Sequence, residues 1–370
     1  MDRRVLVVLT VIVLLQNVHT CKKSITTVSG NYAPKEVCSG KIIFEDNFDE
    51  LDLNKWNHEQ TLGGGGNWEF QWYTNDRNNS YVKDGELHIR PTLLADQYGN
   101  DFLYSGTIDL GKECTNSEWF GCRRVGTKTQ ILNPIKSARL RTANSFSFKY
   151  GKVEIRAKIP AGDWLWPAIW LLPTYWKYGG WPTSGEIDMM ESRGNRQLIS
   201  QSGRKIGVQT IGYTLNWGPN PDNNLFYKTH FDSTLDVGYN QEFHKYQLEW
   251  TPDYIKFSID DKEVGTIVPP SGGFWQLADL TSTGLQNPWK NGTKMAPFDQ
   301  EFHLLINVAV GGLSYFPDNA VNTPGKKPWT NTSPYAPATF WNARNEWLPT
   351  WKMETDESHL KIDYVKVWAL

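Results

Sequence analysis

The stretch FSFKYGKVEIRAKIP, residues 146–160, decides the fold class. Phe148 and Tyr150 alternate with Lys149; after Gly151 the phase shifts, and Val153, Ile155 and Ala157 alternate with Glu154, Arg156 and Lys158. A period of two belongs to an extended chain with one face buried, and a change of phase at a glycine predicts a bulge inside a single strand. Further along, YQLEWTPDYIKFSIDDKEVG (246–265) holds two alternating runs around Pro252-Asp253 and a second turn at Asp260-Asp261, the pattern of a meander. FHLLINVAVGG (302–312) is a continuous apolar run of strand length, and LKIDYVKVW (360–368) closes the chain as another strand. No run of useful length repeats apolar residues at helical spacing. The expected fold class is all-β, two packed antiparallel sheets in one domain over residues 21–370.

Composition narrows the function. The chain has 370 residues, 39% apolar and 21% charged, which is globular rather than disordered. A net charge of −2 offers neither a basic patch for nucleic acid nor a polybasic stripe for lipid, so neither partner is expected. The aromatic content is high, with 18 Trp, 16 Tyr and 16 Phe, as suits a core or a surface that stacks on rings. Residues 1–20, MDRRVLVVLTVIVLLQNVHT, have a basic start and a short apolar run from Val5 to Leu15, the pattern of a secretory signal peptide. The mature chain is therefore expected to be secreted, extracellular and monomeric. Four cysteines suit an oxidising compartment, and Cys21–Cys38 with Cys114–Cys122 is the simplest of three pairings. Sequons occur at Asn78, Asn291 and Asn331.

The chemistry concentrates in SGEIDMMESRGN, residues 184–195, where Glu186, Asp188 and Glu191 crowd three like charges among apolar residues. On a strand Glu186 and Asp188 share a face, whereas Glu191 falls on the opposite one. One extra residue at Met189-Met190 would bring Glu191 back, leaving all three carboxylates on one side and Ile187 with a methionine on the other. Leaning side chains then reach the separation of roughly 5 Å used by retaining glycosidases, in which one acid attacks and the other protonates the leaving oxygen. A third carboxyl between them holds the two pKa values apart. Two alternatives stay open: a helix start, since Thr183 and Glu186 have capping-box spacing, and a calcium cluster.

SGEIDMMES resembles the bulged catalytic strand of family 16 glycoside hydrolases, in the laminarinase (endo-β-1,3-glucanase) branch. WLWPAIWLLP (164–173), GNWEFQWYT (66–74), SARLRTANSFSFKYGKVEIRAKIP (137–160), FHKYQLEWTPDYIKFSIDDKEV (243–264), PFDQEFHLLINVAVGG (297–312) and IDYVKVW (362–368) resemble further segments in family order. The likeness runs from about Ile42 to the end and is greatest to the animal group, which holds both active β-1,3-glucanases and glucan-recognition proteins that have lost their catalytic acids. It implies a jelly-roll β-sandwich with a concave cleft for a polysaccharide, Glu186 as nucleophile, Glu191 as general acid/base and Asp188 between them, with no organic cofactor required.

The same resemblance nominates Trp181, Glu154, Arg156, Asn307 and Asn67 for the cleft. Trp164, Trp166 and Trp170 are expected on one strand face, Trp166 toward the cleft and Trp170 toward the core. Glu154 and Arg156 fall on the polar side of their strand, where a cleft floor would lie. Asn307 interrupts an apolar run and needs a hydrogen-bond partner. Asn67 follows four glycines, which form either a cleft-edge loop or a flexible turn. Where the family often has histidine in a TLHWG-like stretch, this chain has Asn216 in TLNWG. Asp363 and the carbonyl of Gly85 match loosely the position of a structural calcium. The implied activity is retaining endo-hydrolysis of β-1,3-glucan such as laminarin; the alternative is a receptor that binds glucan without cutting it.

Overall fold

The computed structural model describes residues 21–280, 282 and 284–370; the expected signal peptide lies outside the described residues. Seven strands suffice to position the site: β1 (Gly151–Lys158), β2 (Leu165–Pro173), β3 (Glu186–Glu191), β4 (Thr210–Asn216), β5 (His230–Thr234), β6 (Phe302–Val310) and β7 (Leu360–Trp368). The first sheet runs Thr27–Ser29, Ser147–Lys149, β6, β2, β3, β4, β5, with Arg139–Arg141 also paired to β6. The second runs Lys262–Ile267, Ile255–Ile259, His244–Trp250, β1, β7, Glu86–Ile89, Ser80–Lys83, with Ile42–Asp46 also on β7. All these pairings are antiparallel. This is the jelly-roll β-sandwich that the sequence implies, and its helices are short pieces in the connections. No helix among the described residues is long and apolar enough to cross a membrane.

Alternation fills the space between the sheets. Val153, Ile155 and Ala157 of β1 face inward with Val365 and Val367 of β7, while Ile169, Leu171, Ile187, Leu215, Leu304 and Ile306 face them from the first sheet, all buried. Trp250 is wholly buried where the sheets meet. It makes edge contacts with Phe148 at 5.6 Å, Tyr150 at 5.5 Å and Phe302 at 5.4 Å, and its indole N–H donates to the Phe298 carbonyl at 3.0 Å. All nine residues of β6 are buried, because the strand is paired on both edges and covered on both faces; hence its largely apolar run.

The phase shift at Gly151 has a different cause from the one expected. It is not a bulge within one strand: Ser147–Lys149 pairs in the first sheet and β1 in the second, so the chain changes sheets at Tyr150-Gly151. Tyr150 takes φ +62°, which breaks the extended run. A β-carbon on Gly151 would sit 2.9 Å from the Trp368 carbonyl oxygen, so the corner admits only glycine. This geometry corrects two nominations. Glu154 and Arg156 lie on the outer face of the second sheet, remote from the first sheet's exposed side: Glu154 accepts from Gln247 and Tyr364 at 2.8 and 2.7 Å, and Arg156 is held by Asp363 at 2.5 Å.

The loosely matched calcium position offers one carboxylate, that of Asp363. Asp363 gives its carboxylate to the Arg156 guanidinium, and no cluster of three or more acidic, His or Cys side chains forms around it among the described residues. Both disulfides follow the simplest pairing, Cys21–Cys38 and Cys114–Cys122. Of the sequons, Asn78 and Asn291 are exposed, whereas the Asn331 side chain is partly buried and its amide donates to the Phe316 carbonyl at 3.0 Å.

Because Trp250 joins the two sheets, Trp250→Ala should destabilise the fold by about 3–5 kcal/mol, measured as a lowered midpoint in guanidinium unfolding followed by circular dichroism.

Candidate active site

The residues 186–191 form a strand, not a helix start, and the extra residue is where the alternation requires it. On one side Trp170 pairs with Asp188 and Ala168 with Glu191; on the other, Thr214 pairs with Asp188 and Gly212 with Glu191. Three steps along β3 therefore match two steps along each neighbour, which defines a bulge at Met189-Met190. Ile187 and both methionines are fully buried in the sandwich. Glu186, Asp188 and Glu191 consequently share the face turned away from the second sheet. Cross-strand pairing extends this face into a row: Arg139, Asn307, Ala168, Glu191, Gly212 and Asp232.

Asn216 is the hinge of the triad. Its amide nitrogen donates at 2.8 Å to both Glu186 Oε1 and Asp188 Oδ2. The amide cannot turn over, because its oxygen accepts from Asn224 Nδ2 at 2.8 Å. Trp181, 41% exposed at the edge of the site, also eases the ionisation of Glu186. At the other end the Trp166 indole N–H donates to Glu191 Oε1 at 2.8 Å. Trp166 lies flat on Tyr315, 4.0 Å between ring centres, and the Arg193 guanidinium covers the far face of the stack at 3.9 Å from Tyr315.

Trp170 belongs to this face and not to the core, which corrects the expectation. It is half-buried, stands opposite Asp188, and its indole N–H donates to Asn307 Oδ1 at 2.8 Å, the partner that Asn307 needs. Trp164 does face the core, but it does not share the strand face: φ +69° just before β2 turns it into a cluster with Phe316 and Trp329. Beyond Asn307, Arg139 lies 3.2 Å from Glu59, 3.9 Å from Glu69 and 5.1 Å from the centre of the Trp170 ring. Asn67 donates to Glu69 at 3.2 Å and accepts from Ser314 at 2.8 Å. The glycine run before it is a packed turn: a β-carbon on Gly65 would meet Glu69 Oε1 at 2.7 Å and Arg139 Nη2 at 3.2 Å.

The electrostatics follow from this enclosure. Burial is the first cause pushing all three carboxyls up. Glu186 is pushed to about 8 by burial and by the Glu191 charge, against the donors Trp181 and Asn216 and the charge of Arg139. Asp188, 3% exposed, is raised well above the usual range by burial and then by Glu186 and Glu191. Glu191 is raised by burial and eased by the Trp166 hydrogen bond and by Arg193 and His230. Three buried, mutually repelling carboxyls oppose ionising together, so the loss of a proton from one makes its loss from the next harder. Such a set can supply one carboxylate and one carboxylic acid at the same time.

Sequence reasoning missed Arg139, Glu59, Glu69, Arg193, Tyr315, Asn224 and His230. His230 on β5 stands opposite Thr214, with ring nitrogens 2.9 Å from Thr214 Oγ1 and 3.0 Å from Asp232 Oδ1. Only Arg139 carried a local sign, as a charged residue inside the alternating segment SARLR.

Residues 113–273 match the family model Glycosyl hydrolases family 16. The β-1,3-glucan-binding protein of Penaeus monodon is 49% identical over 341 residues, covering 89% of this chain and 90% of that protein. The chain therefore belongs to glycosyl hydrolase family 16, among the animal glucan-binding relatives. β-1,3-Glucan-binding protein 1 of Galleria mellonella is 37% identical over 359 residues, covering 96% of this chain and 68% of that one. Among solved structures, the laminarinase from Rhodothermus marinus superposes with a TM-score of 0.56 at 25% identity, over 89% of this chain and 97% of that one.

A carboxyl whose folded pKa lies above its unfolded value binds more protons in the folded state. Its contribution to stability is complete below the unfolded value near 4.5 and is lost as pH rises through the folded value, about 8 for Glu186. Asp188→Asn removes the most buried member of the set, so its melting temperature should gain on wild type between pH 5 and pH 8; parallel thermal melts at the two pH values test this.

Proposed function

We propose that this protein is a secreted, retaining endo-β-1,3-glucanase acting on laminarin-type glucans. The observation that carries the proposal is the bulge, which gathers an intact set of three carboxylates on one sheet face with a separate hydrogen-bond donor at each end. Glu191 protonates the glycosidic oxygen while Glu186 attacks the anomeric carbon and forms a glycosyl-enzyme. Glu191, now ionised, takes a proton from the water that releases the sugar. The Asn216 amide donates to both Glu186 and Asp188 and favours the ionised form of Glu186 that attacks, against the burial that raises it. Exposed Trp181 lies beyond Glu186, and Trp166 with Tyr315 beyond Glu191, so protein surface continues on both sides of the acids, as an internal cut requires. The glucan-binding names of the Penaeus monodon and Galleria mellonella relatives and the laminarinase likeness of the fold agree on the sugar. They favour a second reading equally, a receptor for β-1,3-glucan without cleavage.

Reducing-end release from laminarin separates the two. Wild type should cut, with the β-anomer appearing first by NMR, and Glu191→Gln should lower the rate by about 10²–10⁴-fold. Glu186→Gln should abolish turnover while laminarin still binds. Wild-type protein that binds laminarin but releases no reducing ends would overturn hydrolysis in favour of the receptor.

Asn216→Ala removes two hydrogen bonds to acidic groups. It should raise the pKa of the nucleophile and so move the acid limb of the pH–rate profile upward, with a rate loss of roughly ten- to a hundred-fold at pH 5; an unmoved acid limb would show that Asn216 does not hold Glu186.

A further inference from the structure

A cavity of about 490 Å³ lies between the glycine turn and the loop closed by Cys114–Cys122. The loop is seated against the turn by hydrogen bonds that include Leu62 N–H to Gly121 O at 2.8 Å, Thr115 N–H to Gln60 O at 3.0 Å, Gln60 N–H to Thr115 Oγ1 at 2.9 Å and Thr61 Oγ1 to Asn116 O at 2.9 Å. Its tip carries two successive non-glycine residues in the left-handed region, Trp119 at φ +50° and Phe120 at φ +61°. Phe120, on that strained backbone and 73% exposed, lines the cavity together with Trp68, 42% exposed. Phe70, Pro334 and Pro337 complete a lining that is mainly apolar.

One lining group does not match this surface. The Arg124 guanidinium is half-buried here, yet its bonds go to neutral oxygens, Asn133 Oδ1 at 2.9 Å and the Trp119 carbonyl at 3.0 Å. No carboxylate among the described residues pairs with it, and two of its five N–H donors are used. Neighbouring Arg123 has Asp109 at 3.5 Å. Glu69 also borders the cavity, but its carboxylate is committed to Gln71, Asn67 and Arg139. Burial lowers the hold of Arg124 on its proton, as expected for a cation lacking a counter-charge. A desolvated guanidinium with free donors, set among exposed rings, is complementary to a flat ring that bears an oxyanion.

We propose that this cavity is a second carbohydrate site, which takes a pyranose unit carrying a carboxylate or sulfate group: the sugar ring lies against Phe120 and Trp68, and the oxyanion meets Arg124. The carboxylate would come from a uronic acid, the sulfate from a sulfated sugar.

Calorimetric titration of the full chain with glucuronic acid, glucose 6-sulfate, glucose and inorganic sulfate tests the proposal. None of these probes contains a β-1,3 bond, so the outcome is independent of hydrolysis at the triad. At least one anionic sugar should bind with a dissociation constant on the order of 1 mM, the scale of a ligand with about a dozen heavy atoms. Glucose and inorganic sulfate should each bind at least tenfold more weakly, and the stronger of the two sugars identifies the source of the anion. Arg124→Gln should erase the preference and Arg124→Lys restore part of it, while exposed Phe120→Ala should weaken the anionic sugars with the fold intact. The proposal is overturned if neither anionic sugar outbinds glucose, if inorganic sulfate binds as well as the sugars, or if binding survives unchanged in Arg124→Gln; should that variant not fold, unchanged binding by Phe120→Ala overturns it equally.

Discussion

One residue too many in a six-residue strand governs the site. A regular strand would send Glu191 into a sandwich where Met189 and Met190 are completely buried, and an ionised carboxyl in that space would be prohibitively unfavourable. The bulge resolves the conflict by giving both methionines to the core and all three acids to the outer face. The neighbours are cut to the same measure. Gly212, opposite Glu191, bears no side chain, and a β-carbon there would approach the His230 ring to 3.2 Å. The register of β4 and β5 is thus matched to the place where Glu191 emerges.

Three like charges close together need a scaffold that does not yield, and two kinds of restraint provide it. At the Glu186 end the restraint is a chain of amides, Asn224 to Asn216 to two carboxylates, in which each group's orientation is set by the one behind it. At the Glu191 end it is a stack of flat groups, Trp166, Tyr315 and Arg193, pinned where Arg193 also donates to the Tyr315 carbonyl at 2.7 and 3.0 Å. The amide chain tunes charge through donors, whereas the stack fixes position and brings a cation near Glu191 without an ion pair that would neutralise it. The two ends of the triad therefore sit in unlike environments, the condition for two acids to divide their roles.

How far the sequence disclosed this depended on the range of the signal. Alternation and turn residues made the sheets, the meander at Pro252 and the bulge at Met189-Met190 legible, because each is a local consequence of side-chain direction. The errors arose where a local pattern serves two sheets. Glu154 and Arg156 alternate as a site strand would, but the corner at Tyr150-Gly151 transfers them to the other sheet, and φ +62° at Tyr150 leaves no mark in a sequence. Trp170 looked like core because tryptophan suits both faces; only its pairing with Asp188 shows which one it takes. Tyr315 and Arg193, 122 residues apart, could not be associated before the fold was known. Asn216 was visible only as a departure from a resemblance, and the structure turns that departure into the bridging donor of the triad.

The choice between cutting and merely binding can be argued from what the acids do to the fold. Burial opposes the ionisation of each of them, so above the ordinary carboxylate range the set weakens the folded state. A surface that only holds a neutral glucan gains little from this: sugar hydroxyls are recognised as well by amides and by aromatic faces, and the site already presents Asn216, Trp170 and Trp181. Asp188 is the sharper case. At 3% exposure it has almost no surface to offer a ligand, and it accepts a hydrogen bond from the amide that also holds Glu186. A nearly inaccessible carboxyl beside two others, its ionisation opposed by burial, is hard to justify as a binding contact, whereas the hydrolysis proposed above would give it a role.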